Sequence, residues 1–168
     1  MKIRKFKSVS KDKKIAVSYF RSGFNCSQSV LKTFAGAYRL NRKNAESISA
    51  GFGAGMGRLQ ETCGAVAGAY MVIGLHCGKK RNFAMTNVTL AKADRINKKI
   101  KEESYKYIKR FNNFFVKIHG TTNCMELVKC DLNTEEGKKY FDENNLHEEI
   151  CENCIKSSIE IINKILHN

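Results

Sequence analysis

Proline is absent from this chain of 168 residues. Because proline is the residue that most strongly breaks helices, its absence is compatible with a chain built mainly of helices. Long apolar runs are missing as well. The longest uncharged apolar stretch covers residues 62–75, which is shorter than the roughly 20 residues that a membrane-spanning helix needs. We therefore expect a chain without a membrane span.

Several catalytic and targeting signals are missing too. The sequence contains neither a Gly-x-Ser-x-Gly nucleophile elbow nor a His-Glu-x-x-His zinc motif, so a hydrolase of those types is not expected. Residues 1–14 carry seven basic side chains and one acidic side chain, with none of the apolar core of a secretory signal. We predict a cytoplasmic protein, in which residues 1–10 form a basic tail and residues 11–168 form a single domain.

The apolar residues recur at steps of three and four, which is typical of amphipathic helices. The pattern predicts an all-α protein, a compact multi-helix bundle. A loop at residues 51–57 contains four glycines and is expected to bend tightly before the central helix. The predicted helices cover residues 11–21, 25–38, 44–50, 63–78, 83–118 and 124–128, one that begins after residue 134, and a final one over residues 151–166.

The net charge of +14 is distributed unevenly. Residues 79–110 carry eleven basic and three acidic side chains, whereas the part after Gly120 carries ten acidic and five basic ones. A basic surface predicts attraction to an acidic redox partner. Nucleic acid is a less favoured partner, because the aromatic residues among the lysines also suit a core stripe. A homodimer is a further option that the sequence leaves open.

Seven cysteines are the most informative feature that is present. In a reducing compartment they favour metal ligands, catalytic thiols or buried apolar side chains over a disulfide framework. Cys26, Cys63 and Cys151 fall in the first turn of predicted helices, and Cys124 begins a short one. The N–H groups and the dipole at a helix start stabilise a thiolate. If these helix starts converge, they form a positive pocket suited to a thiolate-ligated metal, an iron–sulfur cluster or a reactive dithiol.

The cysteine segments also resemble a known family. Residues 63–68 read CGAVAG and fit the CGAxxG motif of the C_GCAxxG_C_C family, whose members are described as redox proteins. The other matching segments are NCSQSV at residues 25–30, GFGAGMG at 51–57, CMEL at 124–127 and CDL at 130–132. The resemblance covers about residues 15–166 and implies redox chemistry on cysteine, with an iron–sulfur centre suspected in a related domain. For the fourth cysteine of the family pattern, Cys151 is favoured over Cys154.

Three functions follow as alternatives. The first is an electron-transfer or redox-sensing protein that holds an iron–sulfur cluster or another metal through Cys26, Cys63, Cys124 and Cys151. Cys130, Cys154 and His147 are substitute ligands. The second is a metal-free thiol–disulfide oxidoreductase in which Cys63 attacks and Cys26 resolves. The third is a binding module with a structural zinc site and a basic surface for nucleic acid or a partner.

Covalent c-type haem is not expected, because the residue after Cys154 is isoleucine instead of histidine. Whether the protein is an enzyme is left open.

Overall fold

The computed structural model describes residues 8–79 and 89–167 and confirms the all-α prediction. The α-helices are α1 (Val9–Arg21), α2 (Cys26–Ala35), α3 (Arg42–Ser49), α4 (Gly53–Met56), α5 (Gly64–Gly78), α6 (Leu90–His119), α7 (Cys124–Val128), α8 (Glu135–Glu143) and α9 (Asn153–His167). Short 3-10 turns cover Gly36–Tyr38 and Ala50–Phe52, and a π-turn covers His147–Glu152. None of the helices in this described part of the chain is both long enough and apolar enough to cross a membrane.

Local side-chain caps explain where several helices begin. Asn25 and Gln28 form a reciprocal capping box, in which each side chain accepts a hydrogen bond of 2.9 Å from the backbone N–H of the other. Thr134 caps α8 by accepting from the N–H of Gly137. Between α1 and α2 the chain turns at Gly23, whose φ of +90° suits glycine. The capping box of Asn25 and Gln28 fixes Cys26 as the first residue of α2.

The central helix of the bundle is α5, which packs against α2, α6 and α9. Its contact with α2 is close because Gly68 has no side chain. A Cβ atom at this position would lie 2.8 Å from the carbonyl oxygen of Ser27, well inside normal contact distance. Glycine at this position therefore lets the backbone of α2 come close to α5. The core around it contains buried residues of α2, α5, α6 and α9, among them Val30, Val72, Phe111, Phe115 and Ile159.

Some predicted boundaries differ from the observed ones. The first helix begins at Val9 instead of residue 11, and residues 1–7 of the predicted basic tail lie outside the described residues. The opening part of the predicted 83–118 helix also lies outside them, and α6 is described from Leu90. The sequence predicts that the last helix begins at Cys151. In the structure Cys151 belongs to the π-turn, and α9 begins at Asn153. Hydrophobic spacing does not distinguish a π-turn from the start of an α-helix.

Candidate functional site

Five of the seven cysteines line a single cavity of about 420 Å³. They come from five different places in the fold: the start of α2, the residue before α5, the start of α7, the π-turn and the first turn of α9. The five are Cys26, Cys63, Cys124, Cys151 and Cys154. Aromatic and aliphatic side chains form most of the remaining wall, and the titratable side chains of Arg58, Lys138, Asp142 and His147 also line the cavity. The structure therefore brings together all four cysteines of the predicted ligand set, together with two of the predicted substitutes.

Backbone hydrogen bonds hold Cys63 and Cys124 side by side. The N–H of Cys63 donates to the carbonyl of Thr122 at 2.8 Å, and the N–H of Cys124 donates to the carbonyl of Glu61 at 2.6 Å. Thr62 and Asn123 form an antiparallel bridge between the same two segments. This short ladder joins residues that are about sixty positions apart in the sequence, and it fixes one side of the cavity.

The backbone of the glycine-rich loop lies close to Cys124 and to the start of α5. A Cβ atom on Gly64 would lie 2.3 Å from the Sγ of Cys26 and 2.7 Å from the carbonyl oxygen of Phe52. A Cβ atom on Gly55 would lie 2.6 Å from the Cβ of Cys124. These two positions therefore require glycine because of close approach, and Gly55 requires it also because its φ is +67°.

Residues 54–60, which we call the strained loop, overlap the end of the glycine-rich loop and contain several left-handed residues that are not glycine. Ala54, Met56, Arg58 and Gln60 have φ values between 48° and 70°, a conformation that costs energy for side chains with a Cβ. Within the glycine-rich loop, Gly53–Met56 forms a short turn with left-handed residues inside it. Such strain is found most often at functional sites. Here the strained run forms part of the cavity wall through Ala54 and Arg58.

Gln60 is a site residue that the sequence reasoning missed. It is only 2 % exposed, and its side chain donates to the carbonyl of Cys130 at 2.7 Å and accepts from the N–H of Leu132 at 2.8 Å. A buried amide satisfied in this way fixes the position of the backbone that it contacts. The hydrogen bonds of Gln60 thus hold the strained loop against residues 130–132. Its partners are about seventy residues away in sequence, so no local pattern could have indicated the role.

The ionisation of Cys63 differs from that of its neighbours. Cys63 is the N-cap residue of α5 but makes no capping hydrogen bond through its side chain. A hydrogen bond from the thiol of Cys154 lowers the pKa of Cys63, and the N–H groups of Ala65 and Val66 lower it further against the opposing effect of burial. The same hydrogen bond raises the pKa of Cys154. Within this pair the first proton is therefore lost from Cys63.

The other thiols of the cavity are held in their neutral form when no ligand is bound. Burial raises the pKa of Cys26 and that of Cys124 to about 12 each, and the negative charge of Cys63 adds to both shifts. Burial also raises the pKa of Cys151, and the negative charges of Cys26 and Cys63 add to the shift. Backbone N–H groups of Ala54, Ser27 and Cys26 itself act in the opposite direction on Cys26. The cavity thus favours a thiolate at Cys63, and burial together with that charge opposes ionisation of its neighbours.

Two cysteines lie outside this cavity wall. Cys130 is half-buried and contributes its carbonyl to the contact with Gln60. Cys77 is fully buried near the C-terminal end of α5, at the opposite end of the helix from Cys63. Within residues 8–79 and 89–167, no group of three or more histidine, cysteine, aspartate or glutamate side chains is arranged to hold a metal ion.

Comparison with known proteins gives one match. A family model described as "Putative redox-active protein (C_GCAxxG_C_C)" matches residues 24–165. That range contains every cysteine of the chain and excludes the basic residues at the N-terminus. Comparison with curated proteins and with solved structures gives no match.

Proposed function

The chain belongs to the C_GCAxxG_C_C family of redox-active proteins, and on that premise we propose that it is an electron-transfer or redox-sensing protein whose cavity holds an iron–sulfur cluster. The ligands in this proposal are Cys26, Cys63, Cys124 and Cys151. The observation that carries it is the convergence of these four thiols, from four separate elements, on one cavity of about 420 Å³. A two-iron cluster ordinarily takes four thiolates, and when bound it accepts and releases single electrons.

A cluster and a single zinc ion require different spacings of the four thiols. Four sulfurs bound at about 2.3 Å to one tetrahedral zinc ion lie about 3.8 Å from one another. A cluster contains at least two iron atoms with bridging sulfides, so its ligands surround a larger volume. Structural zinc remains the alternative metal proposal, and the metal content of the protein distinguishes the two.

The chain itself contributes charge and shielding to such a centre. The N–H groups around Cys26 and at the start of α5 stabilise negative charge on the two sulfurs nearest to them. Arg58 and Lys138 add positive charge at the cavity wall, which the carboxylate of Asp142 offsets in part, and apolar side chains form most of the rest of the wall. Hydrogen bonds and limited solvent exposure are the factors by which a protein sets a cluster's reduction potential. The basic side chains of the protein also favour an acidic electron partner. The seven free thiols suit a reducing cytoplasm.

Anaerobic reconstitution of the reduced apoprotein with iron and sulfide tests the proposed ligand set. We expect visible absorption and bound iron in the wild type, and a loss of at least about tenfold in bound iron for Cys151→Ser. Cys130→Ser should retain near wild-type iron, because Cys130 does not line the cavity. Equal retention of iron by both variants would remove Cys151 from the ligand set. Equal loss in both would show that the cavity does not define the ligands.

A second candidate function is favoured by the lowered pKa of Cys63 beside the thiol of Cys154. As a metal-free oxidoreductase, the Cys63 thiolate would attack one sulfur of a substrate disulfide and release the other as a thiolate. Cys154, after losing its proton, would then attack the sulfur of Cys63 in the resulting mixed disulfide and release the remaining substrate sulfur as a thiolate. The substrate gains two electrons, and Cys63 and Cys154 form a disulfide. Cys154 is the hydrogen-bonded neighbour of Cys63 in this scheme, whereas the sequence had indicated Cys26.

The pH dependence of alkylation tests this second candidate. Since the pKa of Cys63 is lowered, its thiolate is present above that pKa, and its reaction with iodoacetamide should reach a plateau at lower pH than the reaction of an ordinary thiol. In Cys154→Ala the main cause of the shift is removed, so the plateau should move to higher pH. In Cys130→Ala it should stay in place. An identical profile in wild type and Cys154→Ala, measured residue by residue with mass spectrometry, would contradict the candidate.

A further inference from the structure

The last two residues of α1 contact both ends of the π-turn that carries Cys151. The ring of Phe20 stacks on that of His147, with centroids 4.0 Å apart and planes within 11°. Arg21 binds Glu152 in a fork, with its Nε 2.6 Å from Oε1 and its Nη2 3.2 Å from Oε2. One short stretch of α1 thus contacts the first and the last residue of the turn.

The carboxylate at the end of this turn is buried. Glu152 is 1 % exposed, and Lys156 supplies a second cation at 3.2 Å. A buried carboxylate is costly unless it is paired, so the chain must adopt an arrangement in which these cations reach it. A forked arginine contact adds a directional requirement that a point charge lacks. The side chain of Glu152 therefore has one defined position relative to α1.

Since π-turns are rare and occur frequently at functional sites, tertiary contacts are needed to hold this one. We propose that Arg21 and Glu152 are positioning residues: their ion pair holds the π-turn so that the thiol of Cys151 faces the cavity. In the cluster-binding protein proposed above, on which this part of the inference rests, the pair makes Cys151 the fourth ligand. Cys154, on α9, is not attached to the turn in this way.

The position of Cys151 is tested in the metal-free, reduced protein by the rate at which each thiol reacts with iodoacetamide, followed by mass spectrometry. In Arg21→Gln we expect the rate at Cys151 to rise about tenfold relative to the rate at Cys77, because the turn opens locally. Cys77 is fully buried near the far end of α5 and reports global unfolding. Arg21→Lys keeps the charge without the fork and should give a smaller rise in the same ratio.

A matched control is available on α1 itself. Lys13 forms an exposed ion pair with Glu160 of α9, away from the cavity and from the π-turn. In Lys13→Gln the ratio of the two rates should equal that of the wild type. An unchanged ratio in Arg21→Gln would overturn the proposal, as would an equal rise at both thiols. If Arg21→Gln does not fold, the ratio in Arg21→Lys decides by the same criterion.

The reconstituted protein gives a second measurement. In Arg21→Lys the bound cluster should show a changed visible spectrum and a shifted reduction potential, whereas Lys13→Gln should show neither change. If the wild type binds no cluster, the proposed function fails, and the ratio of thiol rates still decides whether the ion pair positions Cys151.

Discussion

Replacement of Cys63 by serine is expected to reduce bound iron and visible absorption by at least about tenfold while leaving the helical content unchanged. A serine hydroxyl is a poor substitute for a thiolate ligand, whereas serine is one of the best N-cap residues. Because Cys63 occupies the N-cap position of α5 without making a capping hydrogen bond, the new hydroxyl can strengthen the start of that helix. The measurements are iron per chain after anaerobic reconstitution and far-ultraviolet circular dichroism.

Cys77→Ala provides the matched control for this prediction. It removes a buried thiol from the same helix at the end far from the cavity, so it should lower stability slightly and retain the iron. Full retention of iron in Cys63→Ser would exclude Cys63 as a ligand. A loss of helix signal together with iron would show that Cys63 supports the fold and would leave its role in the site unsupported.

Gly64→Ala is expected to damage the fold and the site together. The added Cβ would meet the Sγ of Cys26 at 2.3 Å and the backbone oxygen of Phe52 at 2.7 Å. The backbone of Phe52 cannot rotate away as the end of a flexible side chain can. Both this backbone and Cys26 must therefore move away from residue 64. Overpacking of this kind costs about 1–3 kcal/mol of unfolding free energy. Denaturant unfolding should show this loss, and reconstitution should show little bound iron because Cys26 is displaced.

Gly74→Ala separates this steric effect from the effect of alanine in a helix. Gly74 lies in the same helix, and a Cβ atom there would have no neighbour within 4 Å. Alanine should therefore stabilise the protein by about 0.5–1 kcal/mol through helix propensity alone. The two variants should change the free energy of unfolding in opposite directions. A stabilising effect of Gly64→Ala would contradict the close contact at the cavity.

Local chemistry explains why much of the site could be predicted. Asn25 and Thr134 are caps whose preference for helix starts is recognisable in the sequence, and the glycine of the CGAxxG motif after Cys63 marks a close approach. From the sequence, a shared pocket depends on the convergence of the predicted helix starts that carry Cys26, Cys63, Cys124 and Cys151. It is observed even though Cys63 is the N-cap residue of α5 and Cys151 lies in a π-turn.

The remaining features depend on contacts between distant segments, which a single sequence does not show. The hydrogen bonds of Gln60 reach Cys130 and Leu132, and the thiol of Cys154 contacts Cys63 across the bundle. The left-handed conformation of Ala54 and its neighbours is also imposed by packing, since alanine favours the right-handed helix. Cys151 and Cys154 both line the cavity, so the choice of the fourth ligand stays a prediction that depends on the variants described above.

The most direct test of the proposed cluster is the amount of iron, sulfide and zinc per chain in protein purified without exposure to oxygen, together with its absorption spectrum. We predict iron and sulfide in nearly equal amounts, about two or more of each per chain, with visible absorption. Zinc in a colourless protein would contradict the cluster and support a structural metal site. A colourless protein with no metal would also contradict it and leave the thiol chemistry of Cys63 and Cys154 as the function.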